Sequence, residues 1–185
     1  DLSLAASRLI FSARLELADF FGAEDASRIA FTANATESLN LALLGTLKPG
    51  DHVITTEREH NSVLRPLYLL EQSGVEVTIL PADATGEIDL TSLRHALRPQ
   101  SKVFVCSHAS NVTGDLLDLD FIAAFCQEHG LIFIVDAAQT AGWYDYNLKK
   151  QAIDILCFTG HKALQGPQGI GGIYLKPGVN LSPLK

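Results

Sequence analysis

Short apolar runs rich in β-branched or aromatic residues recur along the chain, and such runs predict strands. Seven are present, at residues 29–31, 53–55, 75–80, 103–107, 132–135, 155–158 and 170–175. Apolar residues at helical spacing lie between several of them and predict helices over residues 38–47, 62–72, 90–97 and 120–129. The first twenty residues predict a further amphipathic helix, which Gly22 ends. This alternation of strands and helices is typical of an α/β sheet with helices on both faces.

The bulk composition predicts one globular domain. The chain has 185 residues, 47% of them hydrophobic, which is enough apolar side chain for a sizeable core. With 14 basic and 21 acidic residues the net charge is -7, and no run of like charge occurs, so we expect neither a nucleic-acid nor a membrane-surface partner. The longest apolar stretches, such as residues 131–135, are far shorter than the roughly 20 residues of a membrane span. We therefore expect a soluble, cytoplasmic protein.

Cysteine and methionine usage adds two expectations. Cys106, Cys126 and Cys157 are odd in number and widely separated, which is typical neither of a zinc site nor of a disulfide scaffold, and we expect each to be a small buried side chain. No metal site is expected. The chain has no methionine and opens directly on a helical pattern, so we expect it to be an incomplete piece of a longer protein.

Polar residues cluster directly after the predicted strands, where sheets of this class bind their ligands. The clusters lie at residues 34–37, 59–61, 108–114, 136–139 and 159–162. In the first cluster, small residues lead from a strand into a helix, so free backbone N–H groups around Thr36 suit a phosphate. The alternative is helix capping by Asn34 or Thr36, with Glu37 favouring the helix dipole.

Two charged residues follow buried strands. Asp136 ends the most apolar strand, where an unpaired carboxylate is costly to desolvate, so it needs a cationic or strongly donating partner. A protonated heterocyclic nitrogen is one candidate partner, and a capping role or magnesium binding are the alternatives. Lys162 follows the strand at 155–158, and a lysine in a low-dielectric cleft there becomes nucleophilic toward aldehydes, although most lysines are solvated surface charges.

Three further polar residues each allow two interpretations. His60 can stack on an aromatic ligand or serve as a hydrogen-bonded structural histidine. Asn111 and Gln139 can address a ligand oxygen or cap loops. The glycine-rich residues 166–172 lead into a strand and lack the lysine and hydroxyl residue of a triphosphate loop, and no Gly-x-Gly-x-x-Gly follows the first strand. Nucleotide binding is therefore not expected.

Taken in order and at their spacings, five sequence blocks resemble the class V aminotransferase family, and within it the cysteine desulfurases and selenocysteine lyases. The blocks are Ala35-Thr36-Glu37, Glu59-His60-Asn61, residues 107–114, Asp136-Ala137-Ala138-Gln139 and Thr159-Gly160-His161-Lys162. The resemblance extends from about Arg28 to Leu184. It implies a mixed, mostly parallel seven-stranded sheet in three α/β/α layers, with residues 1–185 forming the large domain that binds pyridoxal 5′-phosphate (PLP).

The resemblance also implies a role for each matched residue. Lys162 would form a Schiff base with PLP and shuttle the substrate proton, and His60 would stack on the ring and assist proton transfer. The remaining roles are cofactor-binding ones: Ala35, Thr36, Thr159 and His161 for the phosphate, Asp136 for the pyridinium nitrogen, Gln139 for the phenolic oxygen, and Asn111 for that oxygen and the substrate carboxylate.

The reaction implied is removal of sulfur or selenium from cysteine or selenocysteine to give alanine, in a homodimer that passes sulfur to an acceptor protein. The sequence departs from the family because the catalytic cysteine, the substrate-binding arginine, the N-terminal segment and the small domain have no counterpart here. None of the three cysteines matches the catalytic position. Another class V reaction (transamination, racemisation or a lyase step) and a domain that is inactive by itself stay open as alternatives.

Overall fold

Helices pack on both sides of one sheet in this computed structural model, which describes residues 2–183. Asp1, Leu184 and Lys185 lie outside the described residues. The expected domain includes all three of them, and the family resemblance extends to Leu184. The helices are α1 (Leu2–Phe20), α2 (Ala35–Thr46), α3 (Asn61–Gln72), α4 (Leu93–Ala96) and α5 (Leu119–His129). The strands are β1 (Ile29–Thr32), β2 (His52–Thr56), β3 (Glu76–Leu80), β4 (Ser101–Ser107), β5 (Ile132–Asp136), β6 (Ile155–Thr159) and β7 (Gly171–Leu175).

The seven strands form one mixed sheet in the order β1-β7-β6-β5-β4-β2-β3. Strands β2 to β6 pair in parallel, whereas β7 is antiparallel to both of its neighbours, β1 and β6. Since β1 and β6 both oppose β7, they run in the same direction, and β7 alone is reversed. The expected mixed, mostly parallel seven-stranded sheet is therefore confirmed.

Two hydrophobic clusters, one on each face, hold the helices to the sheet. Helices α2 and α3 cover one face, where Leu39 and Leu67 are fully buried, and α5 covers the other with Ile122. Alternate residues of β4 serve the two clusters, with Phe104 on one side and Val105 on the other. This two-sided burial explains why the central strands are continuous apolar runs.

Two predicted helices differ in extent from those observed. The region predicted as helix 90–97 is a 3-10 turn at Leu90–Ser92 followed by the single turn α4, because Asp89 accepts hydrogen bonds from the backbone and hydroxyl groups of Thr91. Helix α2 begins at Ala35, three residues before the predicted start, because Asn34 caps it. Helix α1 forms as predicted, but Ala18 is the only buried residue within Leu2–Phe20.

Gly171 lets β7 pass close to the beginning of α2. It pairs with Thr32 of β1, and a Cβ added to it would lie 2.7 Å from the Cα and carbonyl carbon of Asn34. Because these are backbone atoms, they cannot move aside cheaply. The absence of a side chain at Gly171 therefore allows β7 to lie this close to Asn34, the residue that caps α2.

Substitution of Gly171 with alanine is expected to lower the free energy of unfolding by about 1–3 kcal/mol through overpacking. Urea denaturation of Gly171→Ala and of an exposed-loop control, Gln168→Ala, checks this. The control should stay within about 0.5 kcal/mol of the unsubstituted protein. Equal stability of both variants would show that β7 and α2 do not meet as described.

Candidate active site

One cavity lies at the edge of the sheet where β1, β2, β4, β5 and β6 end. All nine residues expected to bind a cofactor line it, namely Ala35, Thr36, His60, Asn111, Asp136, Gln139, Thr159, His161 and Lys162. It is also lined by Asn34, Ser62, Ser107, Ala109 and Ala138. Five loops far apart in the sequence thus meet around one space, as the rule for parallel strand ends requires.

The first turn of α2 forms one end of the cavity. The side chain of Asn34 accepts a hydrogen bond from the Glu37 N–H at 2.9 Å, and the Glu37 carboxylate accepts one from the Ala33 N–H at 2.6 Å. The capping interpretation is therefore correct, but it does not exclude the anion interpretation. The N–H groups of Ala35 and Thr36, first in the helix, have no intrahelical acceptor, and both residues line the cavity.

The end of β6 contributes further donors to the site. Thr159 is buried, and its Oγ1 lies 3.0 Å from Nδ1 of His161, with the donor set by the imidazole tautomer. The Gly160 N–H donates to the Ile170 carbonyl at 2.8 Å, and the Gly166 N–H donates to the Gly160 carbonyl at 2.7 Å. These backbone bonds close the loop that carries His161 and Lys162.

Lys162 lies at the rim of the cavity and is exposed. No carboxylate lies within ion-pair distance of it among residues 2–183. Because the side chain of Lys162 is exposed to solvent, the low-dielectric surroundings expected for this lysine are not observed. Its amine is free to meet a ligand that occupies the cavity.

Asp136 is the buried acid of the site, with 6% of its surface exposed. Its Oδ1 accepts a hydrogen bond from the Ala138 N–H at 2.9 Å, and no cationic side chain in the described part of the chain forms an ion pair with it. Burial raises the pKa of this carboxyl group, while the Ala138 bond and the charges of His60 and Lys162 act in the opposite direction. A cation placed in the cavity would supply the missing partner.

The imidazole of His60 is held in a defined orientation. Its Nδ1 accepts a hydrogen bond from the Ser62 N–H at 3.1 Å and also contacts the Ser62 hydroxyl at 2.7 Å, which caps α3. Because Nδ1 accepts from a backbone N–H, the neutral ring carries its proton on Nε2. The structural and ligand-facing interpretations of His60 are thus compatible, since the capping ring also lines the cavity.

Asn111 and Gln139 bring two amide side chains to the cavity wall. Neither amide group has a hydrogen-bond partner within residues 2–183, which does not support the loop-capping alternative. Each therefore offers an unused donor and acceptor to a ligand.

Glu59 is a buried acid beside the cavity to which the sequence did not assign a role. Its Oε1 accepts a hydrogen bond from the Thr56 hydroxyl at 2.6 Å, and its Oε2 accepts from the N–H and hydroxyl of Ser107 at 2.7 and 2.8 Å. Burial raises the pKa of Glu59 to about 7, although the bonds from Thr56 and Ser107 lower it. The sequence feature that could have indicated a role for Glu59 is its position directly before His60, after the strand predicted at residues 53–55.

The cysteines, metal-binding side chains and long helices of the described residues bear on other kinds of site. Cys106, Cys126 and Cys157 are free thiols and buried, as predicted. No group of three or more His, Cys, Asp and Glu side chains within residues 2–183 is arranged to hold a metal ion. No helix in this part of the chain is long and apolar enough to cross a membrane.

The fold defines an α/β domain with a polar cavity at the ends of its parallel strands, and comparison with known proteins identifies its family. The family model described as Aminotransferase class-V matches residues 1–185. The chain belongs to this family, whose members depend on PLP.

Individual relatives are cysteine desulfurases or similar proteins. The chain is 39% identical over 182 residues to the cysteine desulfurase IscS of Vibrio campbellii, covering 95% of this chain and 45% of that protein. It superimposes on the apo cysteine desulfurase of Thermococcus onnurineus NA1 with a TM-score of 0.92 and 35% identity, over 100% of this chain and 47% of that one. A mutant of C-DES with glycine covalently linked to its PLP cofactor gives a TM-score of 0.90 at 28% identity, over 98% and 49% of the two chains. The chain thus spans about half the length of the proteins it resembles.

Proposed function

We propose that this chain binds PLP in the cavity, with Lys162 as its covalent anchor, and that the complete protein removes sulfur or selenium from cysteine or selenocysteine to give alanine. The observation that carries the proposal is the buried carboxylate of Asp136, which forms no ion pair with any cation of residues 2–183 and shares its cavity with the amine of Lys162. The similarity to cysteine desulfurases supports the choice of reaction.

The residues present fit the chemical groups of PLP. The free N–H groups of Ala35 and Thr36, together with Thr159 and His161, would hold the phosphate at the positive end of α2. Asp136 would hold the ring nitrogen in its protonated form, which relieves the desolvation of that carboxylate.

The remaining polar groups would orient the ring and the substrate. His60 would lie against the ring face, and Gln139 would donate to the phenolic oxygen. Asn111 would address the same oxygen and the substrate carboxylate. One anion site, one partner for a cation, one stacking face and one amine therefore surround a single space.

Bound PLP supplies an electron sink that makes the α-proton of an amino acid acidic. The amine of Lys162, once displaced by the amino group of the substrate, would take this proton and return it. His60, which presents Nε2–H, would assist that transfer. We therefore assign Lys162 and His60 as the catalytic residues of the chain.

None of the three cysteines is assigned as the sulfur-accepting nucleophile. Burial is the main cause that raises the pKa of the Cys106, Cys126 and Cys157 thiols, so the reactive thiolate is disfavoured at each of them. We propose that residues 1–185 are the PLP-binding large domain and that the catalytic cysteine belongs to a separate region.

The cellular setting and the partners are proposed from cysteine chemistry and from the family resemblance. Three free, buried cysteines and a net charge of -7 fit a cytoplasmic protein. A homodimer and a sulfur-acceptor protein as partner are proposed from the family resemblance. Both belong to the complete protein.

The function is tested by incubating the complete protein with PLP, cysteine and a thiol reductant. Alanine and sulfide should form in equal amounts, and Lys162→Ala should abolish both. Formation of a keto acid from cysteine without sulfide would instead favour the second candidate, transamination, which would use the same cavity residues. No conversion of cysteine would contradict the proposed substrate.

A further inference from the structure

Glu59 connects the loop that carries His60 to the last residue of β4. Its two carboxyl oxygens accept three hydrogen bonds, one from Thr56 at the end of β2 and two from Ser107 at the end of β4. Only 8% of the surface of Glu59 is exposed. This buried side chain therefore sets the spacing between two loops that both line the cavity.

The same connection extends to Asp136. Ser107 pairs with Asp136 in the register of β4 and β5, and it lines the cavity itself. His60 follows Glu59 directly in the chain. Glu59 thus links the side chain proposed to stack on the ring to the strand pair that holds the ring-nitrogen partner.

Glu59 forms no ion pair with a cation in the described part of the chain. Asp136 on β5 is an acid, and Cys106 on β4 is a buried thiol whose pKa is raised. The guanidinium of Arg58 donates instead to the carbonyl of Asp115. Burial first, and the charge of Asp136 in addition, raise the pKa of Glu59 to about 7, against the opposing hydrogen bonds.

Two positive groups at the cavity act on Asp136. The charges of His60 and Lys162 lower the pKa of Asp136, whereas the charge of Asp136 raises the pKa of Glu59. Two buried acids therefore lie near one another, and the positive groups at the cavity favour ionisation of Asp136. The proton is then best held on Glu59.

We propose that Glu59 is a positioning residue of the cofactor site, which ties the His60 loop to Ser107 and holds one proton so that the buried negative charge stays on Asp136. This inference rests on the proposed binding of PLP. Neutral Glu59 can donate to Thr56 and still accept from Ser107, so a glutamine is expected to reproduce its contacts.

The first test compares PLP binding by the complete protein with Glu59→Gln and Glu59→Ala. The alanine variant should raise the dissociation constant about tenfold, because the His60 loop loses its tie, whereas glutamine should stay within about threefold of wild type. Glu57→Gln is the matched control, since Glu57 is exposed in the same loop, contacts Ala82 and does not line the cavity. Visible absorbance titration measures binding.

The second test uses the cofactor-free protein and does not depend on turnover. The pKa of Glu59 is raised from 4.5 to about 7 on folding, so the stability it contributes is complete below pH 4.5 and is lost as the pH rises to about 7. The unfolding midpoint of wild type should therefore fall relative to that of Glu59→Gln across this range and level off above it. Glu57→Gln should follow wild type.

The outcomes separate this inference from the proposed function. Wild-type binding by Glu59→Ala, equal loss in both Glu59 variants, or a midpoint difference that does not change with pH would each overturn the role of Glu59 while leaving PLP binding intact. Absence of any Lys162-dependent PLP binding by wild type would overturn the cofactor site and this inference together.

Discussion

The substitution Asp136→Asn is expected to make the cofactor-free protein more stable at neutral pH. Burial raises the pKa of Asp136, so its ionised form costs free energy in the folded state, and the asparagine oxygen can still accept from the Ala138 N–H. We expect a gain of roughly 1–2 kcal/mol in the free energy of unfolding. A raised carboxyl pKa means that the stability of wild type falls as the pH rises above 3.8, so the gain should vanish in acid.

The same substitution is expected to disable the site. Asparagine cannot keep the ring nitrogen of PLP protonated, so alanine formation from cysteine should fall at least about a hundredfold. Urea denaturation and product assays on the complete protein measure the two effects. Asp120→Asn, which changes an exposed acid at the start of α5, is the matched control and should alter neither strongly. A variant that is less stable than wild type, or fully active, would contradict the role assigned to Asp136.

The substitution Lys162→Ala is expected to abolish turnover without loss of stability. Removing the amine that moves the substrate proton should lower the rate by at least about a thousandfold. Because Lys162 is exposed and has no ion-pair partner among the described residues, the free energy of unfolding should change by no more than about 0.5 kcal/mol.

Activity assays and urea denaturation, with Lys150→Ala as an exposed control outside the cavity, check this prediction. The control should match wild type in both measurements. Retained turnover in Lys162→Ala would assign the proton transfer to another group. A large loss of stability would show that Lys162 has a structural role that the contacts do not reveal.

The sheet could be predicted because its strands are buried on both faces. Consecutive residues such as Phe104 and Val105 pack into the hydrophobic clusters on opposite faces of the sheet, so both are apolar. The central strands therefore stand out in the sequence as continuous apolar runs bounded by glycine and polar residues. Their parallel direction brings the polar clusters that follow them to one edge. Nine residues chosen from the sequence therefore line one cavity.

Local competition and long-range contacts could not be predicted in the same way. Apolar spacing over 90–97 indicated a helix, but side chains such as Asp89 bind the backbone and shorten it. Buried Glu59 accepts two of its three hydrogen bonds from Ser107, which is 48 residues away. Periodicity in α1 also did not indicate how little of it packs on the sheet, since Leu9 remains 72% exposed.

Reduction of the PLP-loaded protein with borohydride, followed by peptide mapping, tests the central claim most directly. Reduction makes a covalent link between PLP and a lysine permanent, so the modified residue can be read from the fragment masses. We expect one phosphopyridoxyl group, on Lys162. A label on another lysine such as Lys149 or Lys150, or no label, would contradict it.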